Sequence, residues 1–250
     1  LVVGAELSSR DGLSFEIAGI VCIVSRIIFL LFTYQHLNKV EQPLFSLKAL
    51  SKTSFRIGQT SGAILWLSVG AMPYLLTIYL QNIFHWSAIV AGSYVIFIFI
   101  GNIGIKPFTT SIIRSLNYKG ALIASFLMIL SSSFCLFFIE ATTFPAIIML
   151  LAFASGIGRS LALTAFMGLS LSEIPPQERN SANTLNTVVQ SLAQGLGVSF
   201  ITLVIHLLEI QLSIPLAYSL SFAVLGALML LPIIEILKIP QTMGIATMKK

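Results

Sequence analysis

The feature that most restricts what this chain can become is a succession of seven apolar runs. They lie near Leu13 to Tyr34, Ile57 to Gln81, Ser87 to Phe108, Lys119 to Ile139, Phe144 to Leu171, Asn180 to Leu208 and Ile214 to Leu237. Each has about 20 residues or more, which at about 1.5 Å of rise per residue crosses a hydrocarbon core of about 30 Å. The runs lack period-2 alternation, and in lipid every backbone polar group needs a partner within its own segment. The spacing therefore predicts helices rather than barrel strands. Composition points the same way: 56% of residues are hydrophobic and 9% charged, against about 25% charged in an ordinary soluble domain. The expected solvent is the lipid bilayer, and the expected fold is an all-α integral membrane bundle.

Loop charge predicts the orientation, because short loops rich in Lys and Arg stay in the cytoplasm. The segments after the first, third, fifth and seventh runs carry Lys39, Lys48, Lys52, Arg56, Arg114, Lys119, Arg179, Lys238, Lys249 and Lys250, whereas the opposite side carries only Arg10. The C-terminus and the long first loop are accordingly expected in the cytoplasm. The net charge of +5 belongs to that inner face, and no nucleic-acid partner is expected. Leu1 to Leu7 has no basic flank or cleavage site and reads as the outer end of an apolar helix cut off upstream. Cys22 and Cys135 lie inside runs, far apart in sequence, and read as small packing residues rather than a disulfide.

The longest polar interval, Gln35 to Arg56, separates the first run from the other six. Residues 1–55 are thus expected to form the end of a truncated helix, a linker transmembrane helix and a cytoplasmic loop, and residues 56–250 a six-helix bundle of antiparallel neighbours. Several stretches within this frame carry a likeness. They are Gln42-Pro43-Leu44-Phe45-Ser46-Leu47-Lys48, Pro73 to Gln81, Gly104-Ile105-Lys106-Pro107 followed by Arg114 to Lys119, Gly156-Ile157-Gly158-Arg159-Ser160, and Ile174 to Asn183. In order and spacing they resemble the C-terminal half of the 14-helix drug:proton antiporter branch of the major facilitator superfamily, over essentially the whole chain. The resemblance implies that Leu13 to Tyr34 is the eighth of fourteen helices and that an N-terminal transporter half is missing. It also implies a small-molecule substrate, a proton gradient rather than a cofactor as energy source, and a bacterial inner membrane.

The likeness makes Arg114, Asn117, Tyr118 and Lys119 gating-loop candidates. The family usually has an Asp beside the Arg and a Gly before the aromatic residue, where this chain has Ser115 and Asn117. Asn tolerates a left-handed turn, so the bend is expected to survive, while an Asp–Arg pair within the loop is not.

Three cations fall within runs, where an unpaired charge costs several kcal/mol. Arg159 is the deepest, about 22 Å along its run, among the small residues Gly156, Gly158, Ser160 and Ala162. It is a substrate-path candidate; the structural alternative is a bundle-internal residue held by helix carbonyls. Lys106, just before Pro107, is the second candidate, its alternative being a stem that reaches the headgroups. Arg26 sits on the linker helix and reads as structural or lipid-facing. The acids Glu16, Glu140, Glu209 and Glu235 all lie near run ends, so a coupling carboxylate is expected in the missing half.

Small residues recur at every fourth position in Ala154-Gly158-Ala162 and in Ser191-Gly195-Ser199, predicting narrow helix faces, with Gly156 and Gly197 beside them. Pro73, Pro107 and Pro232 are expected to kink or end their helices. An integral-membrane enzyme would need convergent catalytic groups, yet His36, His85 and His206 are isolated and no catalytic motif is present, so the chain is not expected to be an enzyme. Export of small amphipathic compounds or drugs by proton antiport is the favoured function. Organic-anion or metabolite export is the alternative within transport, and a non-transporting membrane fragment the alternative outside it.

Overall fold

The structure is a computed structural model, and it describes residues 47–241 together with 243 and 244. The linker helix, with Arg26 and Cys22, and the Gln42-to-Lys48 side chains lie outside the described residues, as do Lys249 and Lys250. Every regular element among the described residues is helical. In chain order they are α1 (Thr53–Asn82), α2 (Ala88–Gly104), α3 (Lys106–Phe137), α4 (Pro145–Ser170), α5 (Arg179–Glu209), α6 (Ile214–Ala227) and α7 (Leu230–Leu237), with short 3-10 turns at Leu47–Ser51 and Pro176–Glu178.

The helix starts follow from local chemistry. Ser87 accepts a hydrogen bond from the Val90 N–H at 3.4 Å and caps α2. Prolines occupy the first turns of α3, α4 and α6, where the missing N–H costs nothing. At the start of α1, the Glu173 carboxylate accepts the Ser54 N–H at 3.0 Å, bringing a negative charge to the positive end of the helix dipole.

Three boundaries differ from expectation. The run Ser87 to Phe108 is not one helix: α2 ends at Gly104 and Pro107 opens α3. Pro107 has no N–H to return to the Ile103 carbonyl, so the ladder of α2 cannot pass through it, and Lys106 begins a new helix instead of ending an old one. Residues 109–116, expected as loop, are helical up to Asn117. There the backbone turns to φ 58 and ψ 170, within a segment otherwise continuous from Lys106 to Phe137. The positive φ matches the expectation, but that ψ lies beyond the left-handed helical well, in a region only Gly enters readily. The last run is also split, at Leu228 and Met229, into α6 and α7. Pro232 lies in the first turn of α7, and Pro73 sits inside α1 without ending it.

α1 and α4 form the centre. α4 packs against α3, α2 and α1, while α1 packs against α5, α4, α2 and α6. The apolar core has two main levels. One, around Leu76, Tyr79, Ile148 and Phe222, fills the end near residues 82–87 and 138–144. The other, around Leu122, Phe126, Phe166 and Leu169, fills the end that carries the basic residues. Of the described Lys and Arg side chains, Lys52, Arg56, Lys106, Arg114, Lys119, Arg179 and Lys238 gather at that basic end, and Arg159 alone lies between the levels.

Candidate functional site

Arg159 is the fifteenth residue of the 26-residue α4, close to mid-helix, and 2% exposed. Its Nη2 donates to Ser68 Oγ of α1 at 2.9 Å, and its Nη1 donates to the Ser155 hydroxyl and, at 3.4 Å, to the Ser155 carbonyl. Its Nε is buried without a hydrogen-bond partner. Hydroxyls and a carbonyl solvate this guanidinium, and no carboxylate of the described residues joins them. The charge thus ties the two central helices together at mid-depth but does not reach the outer surface of the bundle.

Glycine sets how closely the neighbours of Arg159 approach. A Cβ on Gly156 would run into the Ile98 carbonyl of α2, and one on Gly158 would lie 2.9 Å from the Ser125 carbonyl of α3. Ser160 donates to the Asn102 carbonyl at 2.8 Å, closing the same crossing. On α5, Gly197 meets the Leu67 carbonyl of α1, whereas Gly195 has open space around it. The narrow face predicted for Ser191-Gly195-Ser199 is therefore displaced: Ala193, Gly197 and Ile201 form the packed face, because α5 meets α1 on the side next to Gly195.

The remaining candidates lie at the basic end and do not converge on Arg159. Lys106 is exposed, its Nζ donating to Thr164 Oγ1 at 3.4 Å. Arg114 is exposed, Tyr118 buried, and Lys119 donates to the Leu237 and Ile239 carbonyls, each at 2.8 Å, capping α7. On α7, the Glu235 carboxylate accepts the hydroxyls of Thr60 and Ser61, bonding α7 to α1. Cys135 is free and exposed rather than packed. Among the described residues no cluster of His, Cys, Asp or Glu is arranged to hold a metal.

A second feature emerges only from the packing of α5. α5 is the least buried of the long helices, and its surface divides into three strips. Ala182, Ala193 and Gly197 are buried on one face, while Leu185 is buried on the line of the apolar strip and Ile201 and Ile205 where the line of the polar strip continues beyond Gln194. Val188, Leu192, Leu196, Leu203 and Leu207 form an exposed apolar strip. Asn180, Asn183, Thr187, Ser191 and Gln194 form an exposed polar strip, at the three- and four-residue spacing of one helix face. The hydroxyl of Thr187 bonds back to the Asn183 carbonyl at 2.9 Å and would tolerate lipid. The amide of Gln194, the sixteenth of the 31 residues of α5, would not, since an amide in hydrocarbon without a full set of partners costs about 2 kcal/mol or more. By contrast, the exposed faces of α2 and α3 carry Ile96, Phe99, Ile103, Leu127 and Phe134.

A profile of the Major Facilitator Superfamily matches residues 6–198. The chain belongs to that superfamily. It is an integral membrane protein of a transporter family, not an enzyme. Among similar proteins, the "Putative multidrug resistance protein MdtD" of Serratia proteamaculans is 24% identical over 230 residues, covering 90% of this chain and 48% of that protein. The proteins of the same name in Pectobacterium carotovorum and Escherichia coli are 25% and 26% identical, over 69% and 84% of this chain and 37% and 45% of their own lengths. The chain spans about half the length of the curated relatives it matches.

Proposed function

We propose that this chain supplies the C-terminal half of a secondary transporter that exports small amphipathic compounds or drugs in exchange for protons. The polar strip of α5 faces the substrate path and the opposing half of the transporter, and the basic end lies in the cytoplasm. The single observation that carries the reading is the division of α5 into packed, apolar and amide-bearing strips. A membrane helix that needed only lipid and its own bundle would have no use for the third. The multidrug resistance names of relatives twice as long agree with it, and the one-sided placement of lysine and arginine supports the orientation. The described carboxylates sit toward the helix ends, so the proton-carrying acid belongs to the other half.

Within this reading, Lys106 and Arg114 stand at the inner mouth, Asn117 bends the chain there, and Arg159 holds α1 to α4. Efflux of a cationic dye from everted vesicles containing the complete protein tests the proposal. Export driven by an imposed proton gradient is expected, with Thr187→Leu plus Gln194→Leu lowering the rate about thirtyfold, as two lost hydrogen bonds of about 1 kcal/mol each would. Export indifferent to the gradient, or unchanged in the double variant, would reject it.

Organic-anion export is the second reading, favoured by one observation: the described partners of Arg159 are hydroxyl and carbonyl oxygens, so its charge would meet an anion wherever α1 and α4 part during transport, though it is 2% exposed in this arrangement. An Arg159→Gln variant that exports anions normally but loses cationic dyes would eliminate it.

A further inference from the structure

The end of the bundle opposite the basic residues contains a cavity of about 530 Å³ between the end of α1, the end of α3 and the start of α6. That volume is in the range of small-molecule sites, about 300–1,000 Å³. Its walls include Phe84, Phe137, Phe138, Tyr79, Glu140 and Ser219, and no Lys, Arg or His is among its described lining residues.

The walls are held by specific bonds. The Tyr79 hydroxyl donates to the Ile139 carbonyl at 2.7 Å, and Ser219 donates to Tyr79 Oη at 3.4 Å. The Glu140 N–H donates to Thr143 Oγ1 at 2.9 Å, fixing the turn that carries the carboxylate. Phe137 and Phe138 meet edge to face at 4.7 Å, and Phe84 meets Tyr79 at 5.2 Å. Aromatic faces together with one carboxylate attract a ligand with an apolar body and a positive charge, through cation–π contact and Coulomb attraction, and disfavour an anion.

We propose that this cavity is a peripheral site for an amphipathic organic cation, with Glu140 meeting the charge and Phe84, Phe137 and Phe138 the apolar body. The site is distinct from the polar strip of α5 and does not depend on the direction or coupling of transport.

Binding of labelled tetraphenylphosphonium to the purified chain in nanodiscs tests it, with tetraphenylborate as a probe of like shape and opposite charge. Glu140→Gln is expected to weaken phosphonium binding about fivefold, the scale of an exposed ion pair, and Glu209→Gln, another carboxylate at the same end, by less than about twofold. Ala141→Trp, which fills the cavity, is expected to weaken it further while the thermal transition stays in place. Tetraphenylborate binding as tightly as the phosphonium, or equal losses in the two carboxylate variants, would overturn the proposal. A lipid amine could supply the same chemistry. Nanodiscs of equal phosphatidylglycerol content, completed with phosphatidylethanolamine or with an uncharged glycolipid, separate the sources. Weaker phosphonium binding beside phosphatidylethanolamine assigns the site to a headgroup ammonium, and unchanged binding assigns it to a free cation.

Discussion

α4 and α5 are of similar length in the same bundle, yet they handle polar groups in opposite ways. α4 has one guanidinium, buried at its centre, surrounded by Ser68 and Ser155 and reached only through helix crossings as tight as Gly156 against Ile98. α5 carries several uncharged amides and hydroxyls in the open, on a strip separate from its apolar one. A buried charge that binds two helices constrains the fold, whereas exposed polar groups constrain what the helix can face. The tight crossings of α4 should therefore respond to substitution mainly in stability, and the open polar strip of α5 mainly in transport.

The largest contrast is expected between two glycines. Gly156→Leu should destabilise the bundle by about 3 kcal/mol or more, since its side chain has only the backbone of α2 to displace, while Gly195→Leu should cost under about 0.5 kcal/mol. Unfolding in mixed detergent micelles measures both. Equal costs would break the distinction between a packed α4 and an open α5.

Next comes the bend at the basic end. Asn117→Val should cost about 1–3 kcal/mol, because a β-branched residue is poorly suited to φ 58 and ψ 170, whereas Asn117→Gly should hold or improve stability. The same unfolding assay decides it, and a neutral Asn117→Val would remove the strained turn from the account.

Arg159→Met sharpens the comparison from the other side. Replacing a buried, unpaired cation by an apolar chain of similar length is expected to leave stability unchanged or raise it by about 1 kcal/mol, with Ser68 and Ser155 free to bond back to their own helices. A loss of several kcal/mol would mean that an undescribed anion compensates the charge. The smallest effect is expected for Thr187→Leu on α5: under about 0.5 kcal/mol in stability, with the change appearing in efflux.

Much of this was legible in the residues. Long apolar runs specify membrane helices because lipid leaves the backbone no other way to satisfy its bonds, and six such runs correspond to helices among the described residues. The positive φ of Asn117 followed from its side chain's tolerance for that turn. Arg159 could be placed at mid-helix by counting, but not assigned a facing direction, since its seclusion depends on α1 approaching from a distant part of the chain. Hydropathy also concealed the break at Pro107, because Gly104, Ile105 and Phe108 read as apolar on either side of it. The strip Asn180, Asn183, Thr187, Ser191 and Gln194 was visible as a helical period. Its exposure required knowing which face Gly197 packs against α1.

The most direct test is cysteine accessibility on α5 in the complete protein, using single cysteines at Thr187, Gln194, Leu192 and Leu203 and a membrane-impermeant maleimide applied to right-side-out and everted vesicles. The account predicts labelling of Thr187→Cys and Gln194→Cys in at least one vesicle orientation, blocked by a transported compound, with Leu192→Cys and Leu203→Cys unreactive in both. Labelling of the leucine positions with protection of the polar ones would show the apolar strip facing the aqueous path, and would contradict it.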